Sequence, residues 1–178
     1  LEEVRAAEAE IGARLVREGY PSAWSRAGVF YEDPWIYVAR DIVRFPTGAL
    51  GTYHHVLMRG GENGVVVMPV FQGRIVLLRH FRNGLRNWSI EVPRGAPDGE
   101  PHSENARREI SEEIGGEIGR FEYLGPLHNN NGMLSETMQI YYAELSAIGD
   151  PRIEEGIEST LLATPEEVGE MIAQSRIT

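Results

Sequence analysis

Six carboxylates fall between Arg94 and Gly116, in the stretch RGAPDGEPHSENARREISEEIGG, and four of them (Glu104, Glu109, Glu112 and Glu113) share a run with helical character. Like charges at helical spacing repel, so a segment that keeps Glu109, Glu112 and Glu113 together is expected to meet a cation. On a helical wheel Ala106, Ile110 and Ile114 form one apolar seam, the face that packs. Glu109 and Glu113 then lie beside that seam, with Glu112 on the other side of Glu109, next to Arg108. A half-buried stripe of three negative charges is costly unless it is compensated. Hard divalent cations such as Mg²⁺, which prefer carboxylate oxygens and keep several waters, compensate it well. The competing reading of these residues alone is a solvated Glu-rich helix with Arg107 and Arg108 as salt-bridge partners.

The flanking residues favour the first reading. Gly95, Glu100, Arg108, Glu109, Glu112, Glu113 and Gly115 follow the order of the pattern G-x5-E-x7-R-E-U-x-E-E-x-G-U, where U is bulky and apolar. In this the chain resembles the Nudix hydrolases, which cleave a nucleoside diphosphate linked to a further group. Two positions depart: the Gly95 to Glu100 interval is one residue short, and Gly116 stands where an aliphatic residue is usual. The short interval bears on how the Gly95 carbonyl reaches a metal. The glycine bears on packing at the helix end.

Outside the box, YEDPWIYVARDIVRFPTGALGTYHHV, VVVMPVFQGRIVLLRHFRNGL, WSIEVPRG and NNNGMLSE are similar to the ADP-ribose pyrophosphatase and nucleotide-sugar hydrolase branch of that family. The resemblance implies that Glu109, Glu112 and Glu113 hold Mg²⁺, with Mn²⁺ as a substitute, that the Gly95 carbonyl adds a ligand, and that Arg82 contacts the diphosphate. It implies catalytic roles for Glu112 and Glu113 and makes Glu136 the catalytic glutamate. Glu91 and Trp35 are further candidates for substrate contact. Against that, Arg82 reads equally as a strand-end charge, Glu91 as a strand residue paired with an arginine, and Trp35 as a core or dimer-interface aromatic. Asn131-Gly132 stands where ADP-ribose enzymes often have Pro-Gly, which leaves the preferred sugar open. The implied reaction gives a nucleoside monophosphate and a sugar phosphate. Rival substrates are dinucleoside polyphosphates and oxidised nucleoside triphosphates. A nucleotide-sensing module without catalysis is a third reading, against which the intact glutamate set counts.

These residues need elements to place them. Leu1, Val4, Ala7, Ile11 and Leu15 recur at steps of three and four, an amphipathic helix that Gly19 can end. WIYVARDIVRF, TYHHVLM, VVVMPV and RIVLLRH read as antiparallel strands, broken at Pro46-Thr47-Gly48, Gly60 to Gly64 and Gln72-Gly73. WSIEVP is a further strand, followed by a Gly/Pro/Asp loop and the carboxylate helix, with Ser103 as the expected N-cap and Gly115-Gly116 as the stop. GRFEYLGPL and MQIYYAEL read as later strands, and a last helix runs from about Pro165 to Gln174. The expected class is α+β, a Nudix fold whose mixed β-sheet is sandwiched between helices, with an N-terminal helix and antiparallel strands. We expect one domain over 1–178: a helical extension at 1–30, strands at 31–60 that are a candidate dimer element, and a core at 61–178. Relatives in the branch often dimerise through such strands, so a homodimer is expected.

The 178 residues, 42% apolar and 25% charged, are ordinary globular composition. With no cysteine, thiolate metal sites are excluded and a metal must take oxygen or imidazole ligands. Adjacent His54 and His55 point to opposite faces of a strand and do not suggest a shared metal. No apolar run approaches the roughly 20 residues of a membrane span, and the acidic start LEEVRAAEAEIG lacks the features of a signal peptide. A cytoplasmic location without membrane partners is expected. A net charge of -10 argues against nucleic acid, whose binding draws on basic surface, and also fits poorly with RNA decapping. It is compatible with a small anion escorted by a divalent metal. A start without Met and the close at SRIT leave further terminal residues to be expected.

Overall fold

The computed structural model describes residues 2–60, 63–96, 99–150 and 156–177. Leu1, Gly61, Glu62, Pro97 and Asp98, which the sequence reading placed in the first helix, a turn and the loop before the carboxylate helix, lie outside the described residues, as does the side chain of Val4. The chain divides into two compact units, Leu1–Glu62 with His128–Glu136, and Asn63–Leu127 with Thr137–Thr178.

The first unit opens with α1 (Glu2–Arg17), which ends as its glycine predicts: Gly19 has φ +97°, and Tyr20 N–H returns to the Leu15 carbonyl at 3.0 Å. The predicted apolar stripe is only partly buried. Leu15 is 5% exposed, but Ile11 is 47% exposed and Ala7 faces solvent. The contact is made instead through Gly12, where a Cβ would run into the Trp24 carbonyl oxygen of the short 3₁₀ turn Ser22–Arg26. Three antiparallel strands follow in the order β1 (Gly28–Glu32), β2 (Ile36–Arg44), β3 (Leu50–Met58). Asp33 nucleates the first hairpin, its Oδ1 accepting from the N–H groups of Trp35 at 2.7 Å and Ile36 at 2.8 Å. The 128–136 segment runs back along β3, where Val56 N–H donates to Met133 O at 2.8 Å and Ser135 N–H to Val56 O at 3.2 Å.

The second unit holds β4 (Asn63–Phe71), β5 (Arg74–Arg82), β6 (Asn87–Glu91), β7 (Arg94–Gly95), α2 (His102–Ile114), β8 (Glu117–Leu127), β9 (Thr137–Ala147), β10 (Ile157–Ala163) and α3 (Pro165–Ala173). Its sheet runs β10-β5-β4-β9-β8, with β6 paired to β5 and β7 to β4. The fold class is α+β with a mixed sheet, as expected. One expectation changes in detail: β4 was read as part of an antiparallel series, yet it pairs parallel to β9 through its whole length, from Asn63↔Thr137 to Phe71↔Leu145. β10 and β1 were not foreseen. Parallel pairing buries a strand on both faces, and β4 and β5 carry the deepest core, with Val65, Val67, Val76 and Leu78 fully buried against Ala106, Ile110 and Ile114 of α2.

Pro69 decides how this sheet opens. Val67 N–H donates to Pro93 O at 2.9 Å, so the edge of β4 carrying that donor faces β7, and Pro69, two residues on, has no N–H to offer along the same edge. The β4–β5 ladder is confined to Val70↔Ile75 and Phe71↔Arg74. Beyond it the strands part, β5 takes β6 from Leu78↔Glu91 to Arg82↔Asn87, and β4 takes Gly95 and Arg94 opposite Val65 and Val66. The split places the Gly95 backbone in the sheet.

Candidate active site

The helix that carries the glutamates is anchored at both ends by backbone. Pro101, not Ser103, holds the N-cap position, accepting from Glu104 N–H at 2.9 Å and Asn105 N–H at 3.1 Å with no side-chain cap. Ser103 lies inside α2 because Pro101, with its ring-fixed φ of -57°, takes the cap position and the helix starts two residues earlier than a Ser103 cap would set it. At the other end Gly115 adopts the left-handed conformation with φ +58°, and Gly116 N–H donates to Ile110 O at 3.1 Å. The glycine at 116 is accounted for by space: a Cβ there would lie 2.8 Å from Ile110 Cγ2 and 3.2 Å from Leu145 Cδ1. The volume an aliphatic residue would fill is taken by its neighbours.

Gly95 is required for a similar reason. A Cβ on it would lie 2.6 Å from Glu109 Cδ and 2.7 Å from Asn105 Oδ1, so only a glycine lets the β7 backbone approach these side chains. Asn105, 1% exposed, ties the same loop down by donating from Nδ2 to the Ala96 carbonyl at 2.8 Å. Arg94 N–H donates to Glu113 Oε2 at 3.1 Å. Helix and loop are thus joined through side chains of the box itself.

Between them lies a cavity of about 560 Å³ whose lining includes Arg82, Arg94, Gly95, Glu109 and Glu113, with His80, Asn83 and Gly84 on the side of β5 and its turn. Glu109 is 7% and Glu113 3% exposed, so the two carboxylates that flank the apolar seam are indeed the half of the stripe drawn into the protein. Glu112 takes another direction. Its Oε2 accepts from Arg108 Nη1 at 2.9 Å, and the same guanidinium reaches Glu109 Oε1 at 3.1 Å and Glu100 Oε1 at 2.9 Å. Arg108 is therefore the cation that the stripe already owns, while Arg107 lies over the Phe121 ring at 4.2 Å. Among the described residues no group of three or more histidine or acidic side chains is arranged to hold a metal ion. The donor chemistry at the cavity wall still fits a hard divalent cation: two buried carboxylates, with the Gly95 backbone pressed against one of them and no soft ligand nearby.

Arg82 lines the cavity, and Glu91 lies behind it. Glu91 is 4% exposed; Arg82 donates from Nη2 to its Oε1, Arg94 Nη2 lies 3.5 Å from its Oε2, and His80 Nδ1 lies 3.3 Å from its Oε1. Register explains the cluster, since Glu91 faces Leu78 across the β5–β6 ladder, which sets it on the same side as His80 and Arg82. Glu91 is absent from the cavity lining and contacts arginine. Arg94, His80 and Asn105 were not singled out by sequence reasoning; alternation with Arg82 along β5 could have flagged His80, and adjacency to Gly95 could have flagged Arg94. The other two predicted site residues belong to the first unit. Trp35 follows the Asp33 turn and is 75% exposed, and Glu136 closes the 128–136 segment.

The NUDIX domain matches residues 62–176. An ADP-ribose pyrophosphatase from Mycobacterium tuberculosis (strain ATCC 25618 / H37Rv) is 33% identical over 117 residues, 63% of this chain and 55% of that protein. The chain thus spans about half the length of the curated relative it matches. A crystal structure of an ADP compounds hydrolase superposes with a TM-score of 0.66 at 21% identity, covering 82% of this chain and 79% of the other, a likeness of fold.

Proposed function

The chain belongs to the Nudix family, and on that premise we propose that it hydrolyses the diphosphate linkage of ADP-ribose or a related nucleoside diphosphate sugar, using a divalent cation, Mg²⁺ or Mn²⁺, held at Glu109, Glu113 and the Gly95 carbonyl with Glu112 beside them. The observation that carries this reading is the cavity that gathers two buried carboxylates of α2 and the Arg82 guanidinium around one space. A cation bound there would offset phosphate charge and acidify a water. The residues of the chain do the rest. Arg82 binds a diphosphate oxygen as a charge-assisted donor. Glu109 is held by Arg108 and Glu113 by the Arg94 N–H. Glu136 accepts the proton of the attacking water as general base, a role worth about 10²- to 10⁴-fold. The water oxygen bonds to phosphorus as the bridging P–O bond breaks, leaving a nucleoside monophosphate and a sugar phosphate. The name of the curated relative supports ADP-ribose as the first substrate to try.

A hydrolysis screen of ADP-ribose, GDP-mannose, UDP-glucose, diadenosine polyphosphates and an oxidised nucleoside triphosphate, each with Mg²⁺ and with Mn²⁺, tests the proposal. A nucleotide sugar as best substrate supports it. Preference for a dinucleoside polyphosphate or a triphosphate moves the assignment within the family, and binding without turnover of any of them overturns the enzyme in favour of a sensing module. In the same assay Glu136→Gln should lower kcat strongly with little change in KM; near wild-type kcat would place the base elsewhere.

A further inference from the structure

Two guanidinium groups line the cavity, and a single buried carboxylate holds both. We propose that Arg94 is a second anion-binding residue beside Arg82, and that Glu91 is the positioning residue that sets the two as a pair for adjacent phosphate groups; this rests on the diphosphate reading above. Arg82 and Arg94 come from different elements, β5 and β7, which lie on separate partners where β4 and β5 part, and Glu91 at the end of β6 contacts both. Its two oxygens are divided, Oε1 toward Arg82 and Oε2 toward Arg94. A carboxylate 4% exposed is worth keeping in a sheet only when its charge is answered, and here the answering groups are the ones that face the cavity.

The two arginines differ in how they are held. Arg82 is mostly buried, its side chain 25% exposed, and its Nε is sealed from solvent with no hydrogen-bond partner among the described residues, so its orientation depends heavily on Glu91. Arg94 has a side chain 46% exposed, while its backbone is pinned on both sides, by pairing with Val66 and by donation to Glu113. The head group thus reaches from a fixed root to the rim, where it can meet an anion that enters. Arg82 and Arg94 share the cavity wall with Glu109 and Glu113, so a diphosphate that meets the two guanidinium groups lies beside the carboxylates proposed to hold the cation. Charge-assisted contacts to phosphate are strong enough for one of them to change affinity by about tenfold.

The test uses two probes with Mg²⁺ present: inorganic pyrophosphate, followed by calorimetric binding, and ADP-ribose, followed by steady-state hydrolysis. Arg94→Ala should raise the pyrophosphate Kd and the ADP-ribose KM by about tenfold with kcat within about threefold and an unchanged melting temperature, because the side chain is half exposed. Arg94→Lys should restore part of the loss. Glu91→Gln, which keeps the shape and removes the charge, should raise the same two constants, and adding it to Arg94→Ala should cost less than it does alone. Kd and KM within twofold of wild type for Arg94→Ala would overturn the proposal, as would a Glu91→Gln that only lowers the melting temperature. A wild-type protein that binds pyrophosphate in an Arg94-dependent way but turns over no ADP-ribose would keep the arginine pair and reject the substrate.

Discussion

Gly95 shows at the scale of one residue how little freedom the site has. Adding a methyl group there would bring a carbon within 2.6 Å of Glu109 Cδ and 2.7 Å of Asn105 Oδ1, both nearly buried, so the carboxylate or the loop must move. Gly95→Ala is expected to destabilise the fold by about 1–3 kcal/mol through overpacking, read in thermal or denaturant unfolding, and to lower kcat on the order of 10²-fold because displacing a reacting group by about an ångström has that effect. A fully active, equally stable Gly95→Ala would show that Glu109 need not stay where it is. The residues of the box were legible in the sequence because their spacing on a helix fixes which side they share: Glu109 and Glu113 had to border the seam of Ala106, Ile110 and Ile114, and they do. Glu91 was legible only as an acid on a strand. Its meeting with Arg82 and Arg94 depends on strand register and on the split in the sheet, neither of which is a local property of WSIEVP.

At the scale of elements, the strands with alternating or continuous apolar runs were found near their observed bounds, while β1, β10 and the two-residue β7 were not. β10 reads IESTLLA, short and partly polar, and becomes a strand by lying along β5 from Ile157↔His80 to Ala163↔Ile75; tertiary pairing, more than propensity, makes it. Gly12 in α1 was passed over for the same reason, since its value lies in the approach of Trp24. The β1–β2 hairpin offers a test of local chemistry. The Ile36 and Trp35 N–H groups, in that order of weight, hold the Asp33 carboxyl below its usual pKa of 3.8, and the Tyr31 hydroxyl adds to them. A lowered folded-state pKa means a contribution to stability that is full above the ordinary carboxylate range and fades as pH falls through the lowered value. Asp33→Ala should therefore lower the melting temperature at neutral pH, and the gap from wild type should close as the pH falls to the point where the folded carboxyl is protonated. A gap that stays constant down to that pH would remove the charge from the explanation.

At the scale of the whole molecule, the first unit carries Phe30, Tyr31, Trp35 and Tyr53 with 40–75% of their surface exposed. The homodimer expected from the N-terminal strands would cover such surface, and closed two-fold pairs are the commonest oligomers. Light scattering at micromolar concentration should give twice the 19.9 kDa mass of the chain, and a value at the single-chain mass would leave those aromatics without this explanation. Trp35→Ala should shift a dimer toward monomer. Among the described residues no helix is long and apolar enough to cross a membrane. The central claim, that the buried carboxylates of α2 serve diphosphate hydrolysis and not folding, is tested most directly by the kcat of Glu113→Gln on the best nucleotide sugar with Mg²⁺, measured beside its melting temperature and beside wild type in EDTA. Glu113→Gln should lose at least about 10²-fold in kcat with the fold retained, and wild-type turnover should be lost in EDTA. Turnover that survives both the substitution and the chelator would contradict it.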